Sequence, residues 1–349
     1  MIAIRRLRLA AFAFSAVLAN AACSATAPSF APNIVAHDVG AASLPRAAQV
    51  RVPLAVRKGS YRIDIAVGGG PRRTVVFDTG STGLHFLSLD VGKNVRVTKD
   101  HFTPYGYESG TIYKGYIAYG DIDLGNGVVI KNARFGYITS VSCEKTIPWC
   151  PGASGISGAQ AKGAYGVLGV RLNGGQQITS PLNYLAAPLN GGFAVTQHAL
   201  YLGLPAAFRK TFHPVRLMKE PYVNVDGMQA WSTVVNVRWS VDGALLTGRP
   251  MGTDFDTGTT IVKFHGPDSM LPPGDVGKGG NLVRGHTVEA SVPGAFDYSF
   301  VSGGIPGRNY VGVILPASPF ANSGLNGFEH LDIMFDPVNG LMGFRPPSK

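Results

Sequence analysis

Two copies of one hexapeptide carry the residues best suited to chemistry in this chain. Phe77-Asp78-Thr79-Gly80-Ser81-Thr82 recurs as Phe255-Asp256-Thr257-Gly258-Thr259-Thr260, 178 residues further on, with a single conservative Ser/Thr change. An aspartate that ends a strand and is followed by Thr-Gly presents its carboxylate on a tight turn, with backbone amides near and no side chain in the way. Two such turns placed face to face bring two carboxylates together. Like charges at that distance do not both ionise, so the pair shares a proton, one apparent pKa falling and the other rising. One carboxylate is then a base and its neighbour an acid. That combination splits a peptide bond with water as the nucleophile, with no metal, cofactor or covalent intermediate. A lone Asp-Thr-Gly is an ordinary Asx-turn sequence. Two copies in step, each after an apolar residue, are not explained by turns.

The elements that must position these loops are strands. A repeat of this length points to two similar lobes rather than to a solenoid, whose units run to about 20–50 residues. Tyr61, Ile63, Ile65 and Val67 alternate with Arg62, Asp64 and Ala66, then Gly68-Gly69-Gly70-Pro71 turns the chain into Thr74-Val75-Val76-Phe77, a β-hairpin. The triple glycine lacks the Lys-Ser/Thr ending of a phosphate loop and leads into a strand. Further strands are expected at 115–124, 128–137, 233–239 and 310–315, and short helices near 182–187 and 205–210. The fold class is all-β and bilobal with few short helices: 51–204 forms an N-terminal lobe and 205–349 a C-terminal lobe.

Composition agrees. The 349 residues hold 46 Gly and 24 Pro without a Gly-X-Y period, and charged residues are only 15%, which excludes collagen, coiled coils and charge-driven disorder. The net charge of +10 is scattered, with no basic run and no base-reading module, so nucleic acid is not an expected partner.

The N-terminus addresses the protein. Arg5, Arg6 and Arg8 precede an apolar run from Leu9 to Leu18 and small residues at Ala19, Ala21 and Ala22, the pattern of a secretory signal peptide over 1–22. Residues 23–50 then read as a flexible leader or short prosegment. Cys23 follows Asn20-Ala21-Ala22, which resembles a lipoprotein signal except at Asn20, so lipidation at Cys23 is the expected route to a membrane, if there is one. No later stretch is long enough for a transmembrane helix. In an exported chain, Cys143 and Cys150 are expected to form a local disulfide; zinc is the rival, without nearby histidines to complete a site.

From about 55 to 346 the chain resembles the pepsin-like aspartic endopeptidases in a bacterial form, through its two Asp-Thr-Gly motifs and several weaker segments. The resemblance implies that Asp78 and Asp256 are the catalytic dyad. Thr79 and Thr257 would brace the two loops, Ser81 and Thr259 would bond the outer carboxylate oxygens, and Gly80 and Gly258 would offer amides. Gly115 to Gly125 looks like the strand after the family's flap, making Tyr107, Ser109 and Gly110 the substrate-binding flap residues, with Tyr105 as the alternative tyrosine. Gly166-Val167-Leu168-Gly169 is similar to the element threading under the first loop, and Leu325-Asn326-Gly327 fits the second one in part. The segment from Ile333 to Phe344 resembles the closing strands.

Three departures stand out. His85-Phe86 replaces the usual Trp, so the hydrogen bond from that Trp to the flap tyrosine lacks its donor; Glu108 replaces a flap glycine; and the loop 139–164 carries the cysteines and Trp149, either shaping a substrate pocket or forming a surface insertion. His85 reads as a packing or hydrogen-bonding histidine ahead of a second acid or base. The expectation is therefore an exported, periplasmic or extracellular, monomeric endopeptidase acting on peptide or protein substrates. The rivals are a catalytically silent binding or inhibitory protein of the same fold and a highly selective processing enzyme. Signatures of serine hydrolases, zinc proteases and thiol-redox proteins are lacking.

Overall fold

A five-strand unit occurs twice, and each copy delivers one Asp-Thr-Gly. The structure, a computed structural model, describes residues 49–348 apart from 162, 174–176, 273 and 305–308. The expected signal peptide and nearly all of the leader, Cys23 included, lie outside the described residues. In the first unit Ser60–Val67 pairs antiparallel with Arg73–Asp78, which runs parallel to Gly166–Val170; that strand is antiparallel to Thr82–Leu87, itself parallel to Val128–Cys143. In the second, Val235–Val241, Met251–Asp254, Phe320–Asn322, Val262–His265 and Val311–Ile314 follow in the same spatial order and the same senses. In both, the last strand of the unit is inserted between the two that flank the aspartate loop. The hexapeptide repeat is thus the visible part of a repeated topology.

Sequence pattern explains the strands unevenly. Ser60–Val67 alternates as expected, with Tyr61, Ile63, Ile65 and Val67 buried. Thr82–Leu87 and Gly166–Val170 are buried at every position, because the sheet is covered on both faces there, so they show no period of two. The expected strands at 115–124 and 128–137 are the inner parts of a longer hairpin, Thr111–Gly125 with Val128–Cys143. The helical pattern near 182–187 is a single 3-10 turn, Pro181–Tyr184, opened by the Ser180 hydroxyl capping the Leu182 amide. Among the described residues the three α-helices, Gly155–Ala161, Ala206–Arg209 and Gly324–His330, are short.

A further six-stranded sheet runs Val50–Pro53, Ala199–Leu202, Phe193–Val195, Asp332–Asp336, Leu341–Arg345, His213–Arg216. These strands precede and follow each five-strand unit in the chain, so both units enter and leave through one shared sheet. Phe193 stacks on Phe335 at 4.8 Å within it. The result is an all-β, bilobal molecule whose aspartate loops meet between the lobes.

Candidate active site

The two loops grip each other reciprocally. Thr79 Oγ1 donates to the Phe255 carbonyl at 2.6 Å and accepts from the Thr257 amide at 3.0 Å; Thr257 Oγ1 donates to the Phe77 carbonyl at 2.7 Å and accepts from the Thr79 amide at 3.0 Å. Both threonines are buried, and Phe77 and Phe255 anchor the loops in the core. Satisfied buried polar networks of this kind fix geometry, since every broken bond leaves a dry donor or acceptor.

The carboxylates are held by matching donors. Asp78 accepts from the Gly80 amide at 2.8 Å and the Ser81 hydroxyl at 2.5 Å; Asp256 accepts from the Gly258 amide and the Thr259 hydroxyl, both at 2.7 Å. The glycines allow the loops to close: a Cβ on Gly80 would fall 2.6 Å from Asp256 Oδ1, and one on Gly258 2.7 Å from Asp78 Oδ1. Asp78 and Asp256 face each other closely enough for the charge of one to act on the other. Burial first, then the charge of Asp256, push Asp78 well above the usual carboxylate range, against the pull of Ser81.

Symmetry ends at the groups behind the second loop. Asn322 Nδ2 donates to Asp256 Oδ2 at 2.8 Å, a third donor with no counterpart at Asp78 among the described residues. Asp254, two residues before Asp256, is buried and ion-paired to Arg171, which also bonds the Gly80 carbonyl at 3.2 Å and Thr233 Oγ1 at 3.0 Å. Arg171 thereby ties the first aspartate loop to the second unit. Burial pushes Asp254 up to about 7 against the pull of Arg171. Sequence reasoning missed these three residues. The pattern Asp254-Phe255-Asp256 was the available signal, since alternate residues of a strand share a face.

Placement of the second threading element corrects the expectation. Phe320–Asn322 runs parallel to the strand ending at Asp254, and the Ser323 amide bonds the Asp254 carbonyl at 2.9 Å, so residues 320–324 do the threading. Leu325-Asn326-Gly327 lies in the helix Gly324–His330 instead. The register places Asn322 opposite Asp254 where Val167 stands opposite Val76 in the first unit, a polar residue in an apolar slot that the expected pattern hid.

The flap is the turn from Tyr105-Gly106 to Ile112-Tyr113, whose tip is closed by the Gly110 amide on the Tyr107 carbonyl at 2.8 Å. Tyr107 Oη lies 3.4 Å from His85 Nδ1, so the histidine provides the hydrogen-bond partner that the missing Trp left open. His85 is buried among Phe102, Tyr105, Tyr107 and Tyr113, and burial brings it down to about 4, which keeps it neutral over most of the pH range. Tyr105 Oη instead accepts from the Thr82 amide at 3.2 Å. Tyr107 and Ser109 line the cleft. Gly110, at φ +80°, packs against Ile147 and does not line it.

Ile147 belongs to the loop closed by the Cys143–Cys150 disulfide. Within that loop the Glu144 amide donates to the Gly110 carbonyl at 2.8 Å, so the loop buttresses the back of the flap tip. Trp149 points to solvent, 78% exposed; Pro151 and Ala164 are the loop residues that reach the cleft. From the other side, Lys263 Nζ meets Glu108 Oε2 at 2.6 Å and joins the flap to the second unit.

The resulting cleft, about 780 Å³, contains Asp78, Asp256, Asp254 and the flap tip. The two carboxyls of Asp78 and Asp256 lie together in its lining, below the flap residues Tyr107 and Ser109. No curated protein matches the chain. The family described as the PE-PGRS C-terminal aspartyl peptidase-like domain matches it over residues 50–334, a span that includes both loops, the flap and the shared sheet up to the start of its terminal hairpin. On that match the chain belongs to the PE-PGRS C-terminal aspartyl peptidase-like domain family.

Proposed function

We propose that this protein is an aspartic endopeptidase, related to the pepsin-like enzymes, with Asp78 and Asp256 as its catalytic pair. The observation that carries the reading is the reciprocal hold on two facing carboxylates, each with its own amide and hydroxyl donor, in a cleft beneath a tyrosine-bearing flap. Burial favours the proton on Asp78, and Asp256 receives the additional hydrogen bond from Asn322. In the reaction Asp256 takes a proton from a water lying between the carboxyls, and the water oxygen attacks the scissile carbonyl carbon. Asp78 gives its proton to the carbonyl oxygen as the tetrahedral intermediate forms. Collapse of that intermediate re-forms the carbonyl, breaks the C–N bond, and delivers a proton to the leaving amine. Thr79 and Thr257 keep the carboxyls in register, and Tyr107 and Ser109 close over the bound peptide.

The same reading has the enzyme exported, as a monomer acting on peptides or proteins, with lipidation at Cys23 as its one route to a membrane. The disulfide supports an oxidising compartment. Mass spectrometry of the mature N-terminus tests the last point. For activity, the test is cleavage of a diverse peptide library from about pH 3 to about 8 by the wild type and by Asp78→Asn. Products formed by the wild type and lost in the variant are expected. No products from either folded protein would turn the reading to a silent peptide-binding protein.

A further inference from the structure

Among the described residues, Arg62 in the cleft wall has no acid in contact with it. Lys263 is joined to Glu108 and Arg171 to Asp254. Arg62, half-buried on the strand Ser60–Val67, makes no ion pair or side-chain hydrogen bond among the described residues, although it lines the cleft. A desolvated guanidinium without a carboxylate is costly, and burial accordingly draws its pKa below the usual arginine range.

The surroundings of Arg62 have the form of a side-chain pocket. Arg62 stands opposite Val76 across the antiparallel pair, and Val76 stands opposite Val167 on the next strand, so the three side chains share one face of the sheet. Val76 is two residues before Asp78, and Val167 and Tyr113 belong to one buried apolar cluster that Val76 packs against. All four line the cleft. The wall beside the first aspartate is therefore apolar, with a guanidinium at its edge. Arg62 also borders an adjoining cavity of about 470 Å³, where Arg57 and Arg72 stand with Asp64. Arg72 is itself held by Asp123 at 2.7 Å.

We propose that Arg62 determines specificity, receiving the carboxylate of a glutamate or aspartate side chain whose methylenes lie on Val76 and Val167. This rests on the peptidase reading and narrows it to substrates with an acidic residue at one fixed position from the cut. A guanidinium accepts a carboxylate through two parallel hydrogen bonds, and an amide isostere offers only one acceptor oxygen and no charge.

The test is the peptide library with sequenced cleavage sites, followed by matched Glu and Gln peptides. Wild-type sites are expected to show Glu or Asp enriched at one position, with kcat/KM for the Glu peptide at least about tenfold above that for its Gln twin. Arg62→Gln is expected to abolish the difference, Arg62→Glu to shift the preference to Lys or Arg, and Arg62→Lys to retain a weaker acidic preference, which guards against loss of fold as the cause. Cleavage without acidic enrichment, or enrichment that survives in Arg62→Gln and Arg62→Glu, overturns the proposal and leaves the peptidase reading intact. If the wild type cleaves nothing, the peptidase reading fails separately. Fluorescence anisotropy of the Asp78→Asn chain with Glu-rich and Gln-rich library pools then decides for Arg62: equal binding of both pools overturns it, and an acidic preference lost on adding Arg62→Gln upholds it.

Discussion

Asp78 is a carboxyl that folding discourages from ionising. For an acid whose pKa rises on folding, the native state holds the proton after the unfolded state has released it. Stability therefore falls as pH climbs from the ordinary value of 3.8 through the raised one, and is greatest at the acid end of that window. Asp254 acts with the same sign up to about 7. The melting temperature is expected to decline between about pH 4 and about 7. Asp78→Asn removes the ionisable group while keeping its shape, and its one amide oxygen can accept from either the Gly80 amide or the Ser81 hydroxyl. It is expected to melt higher than the wild type at neutral pH, by about 2 °C or more, with the gap narrowing in acid, while hydrolysis falls by about 10²–10⁴. Calorimetry and peptide cleavage on the same two proteins check both halves. Thr79→Val preserves volume but strands the Phe255 carbonyl and the Thr257 amide; about 2–4 kcal/mol should be lost in urea unfolding with an unchanged m value. At this scale the sequence was legible where the chemistry is local. Asp78 and Asp256 sit in a contiguous motif, whereas Arg171 meets Asp254 across 83 residues and Asn322 meets Asp256 across 66, and no short pattern records either pair.

The flap is an element supported from two sides of different strength. Behind it the disulfide loop contributes Ile147 and the Glu144 amide; in front Lys263 holds Glu108. Gly110→Ala would require a side chain at φ +80° with its Cβ 2.7 Å from Ile147 Cβ, so the tip must move. A kcat/KM lower by about tenfold, with little change in melting temperature, is the expected outcome of kinetics and calorimetry on that variant. Glu108 is half-exposed, and pairs of that kind contribute at most about 1 kcal/mol. Lys263→Met should accordingly change KM by less than about fivefold, and the change should fade in high salt. Elements were readable from sequence in proportion to their exposure. The half-exposed strand Ser60–Val67 announces itself by alternation, and the strands at 82–87 and 166–170, covered on both faces, do not. The flap continues the hairpin beyond residue 115, where cleft-facing tyrosines replace the regular pattern.

At the scale of the whole molecule, the repeated hexapeptide was enough to infer two lobes, but not the sheet through which both are rooted. That sheet recruits strands from the start, the middle and the end of the described chain, and nothing in any one of them declares its partners. Its centre is the terminal hairpin Asp332–Asp336 with Leu341–Arg345, inserted between Phe193–Val195 and His213–Arg216 and burying Ile333, Phe335, Met342 and Phe344. A chain cut after His330 is expected to retain strand content by circular dichroism and to lose its cooperative urea transition, since the two units are then left without their common floor. Assembly in time follows from this placement. The hairpin is the last part of the described chain to leave the ribosome, and its pairings span most of the sequence, a topology that folds slowly. Both aspartate loops are synthesised well before the sheet that sets them against each other can close. On the peptidase reading, a nascent chain of this design carries its two carboxyls apart, and its cleft stays unassembled until the hairpin Asp332–Asp336 with Leu341–Arg345 has emerged.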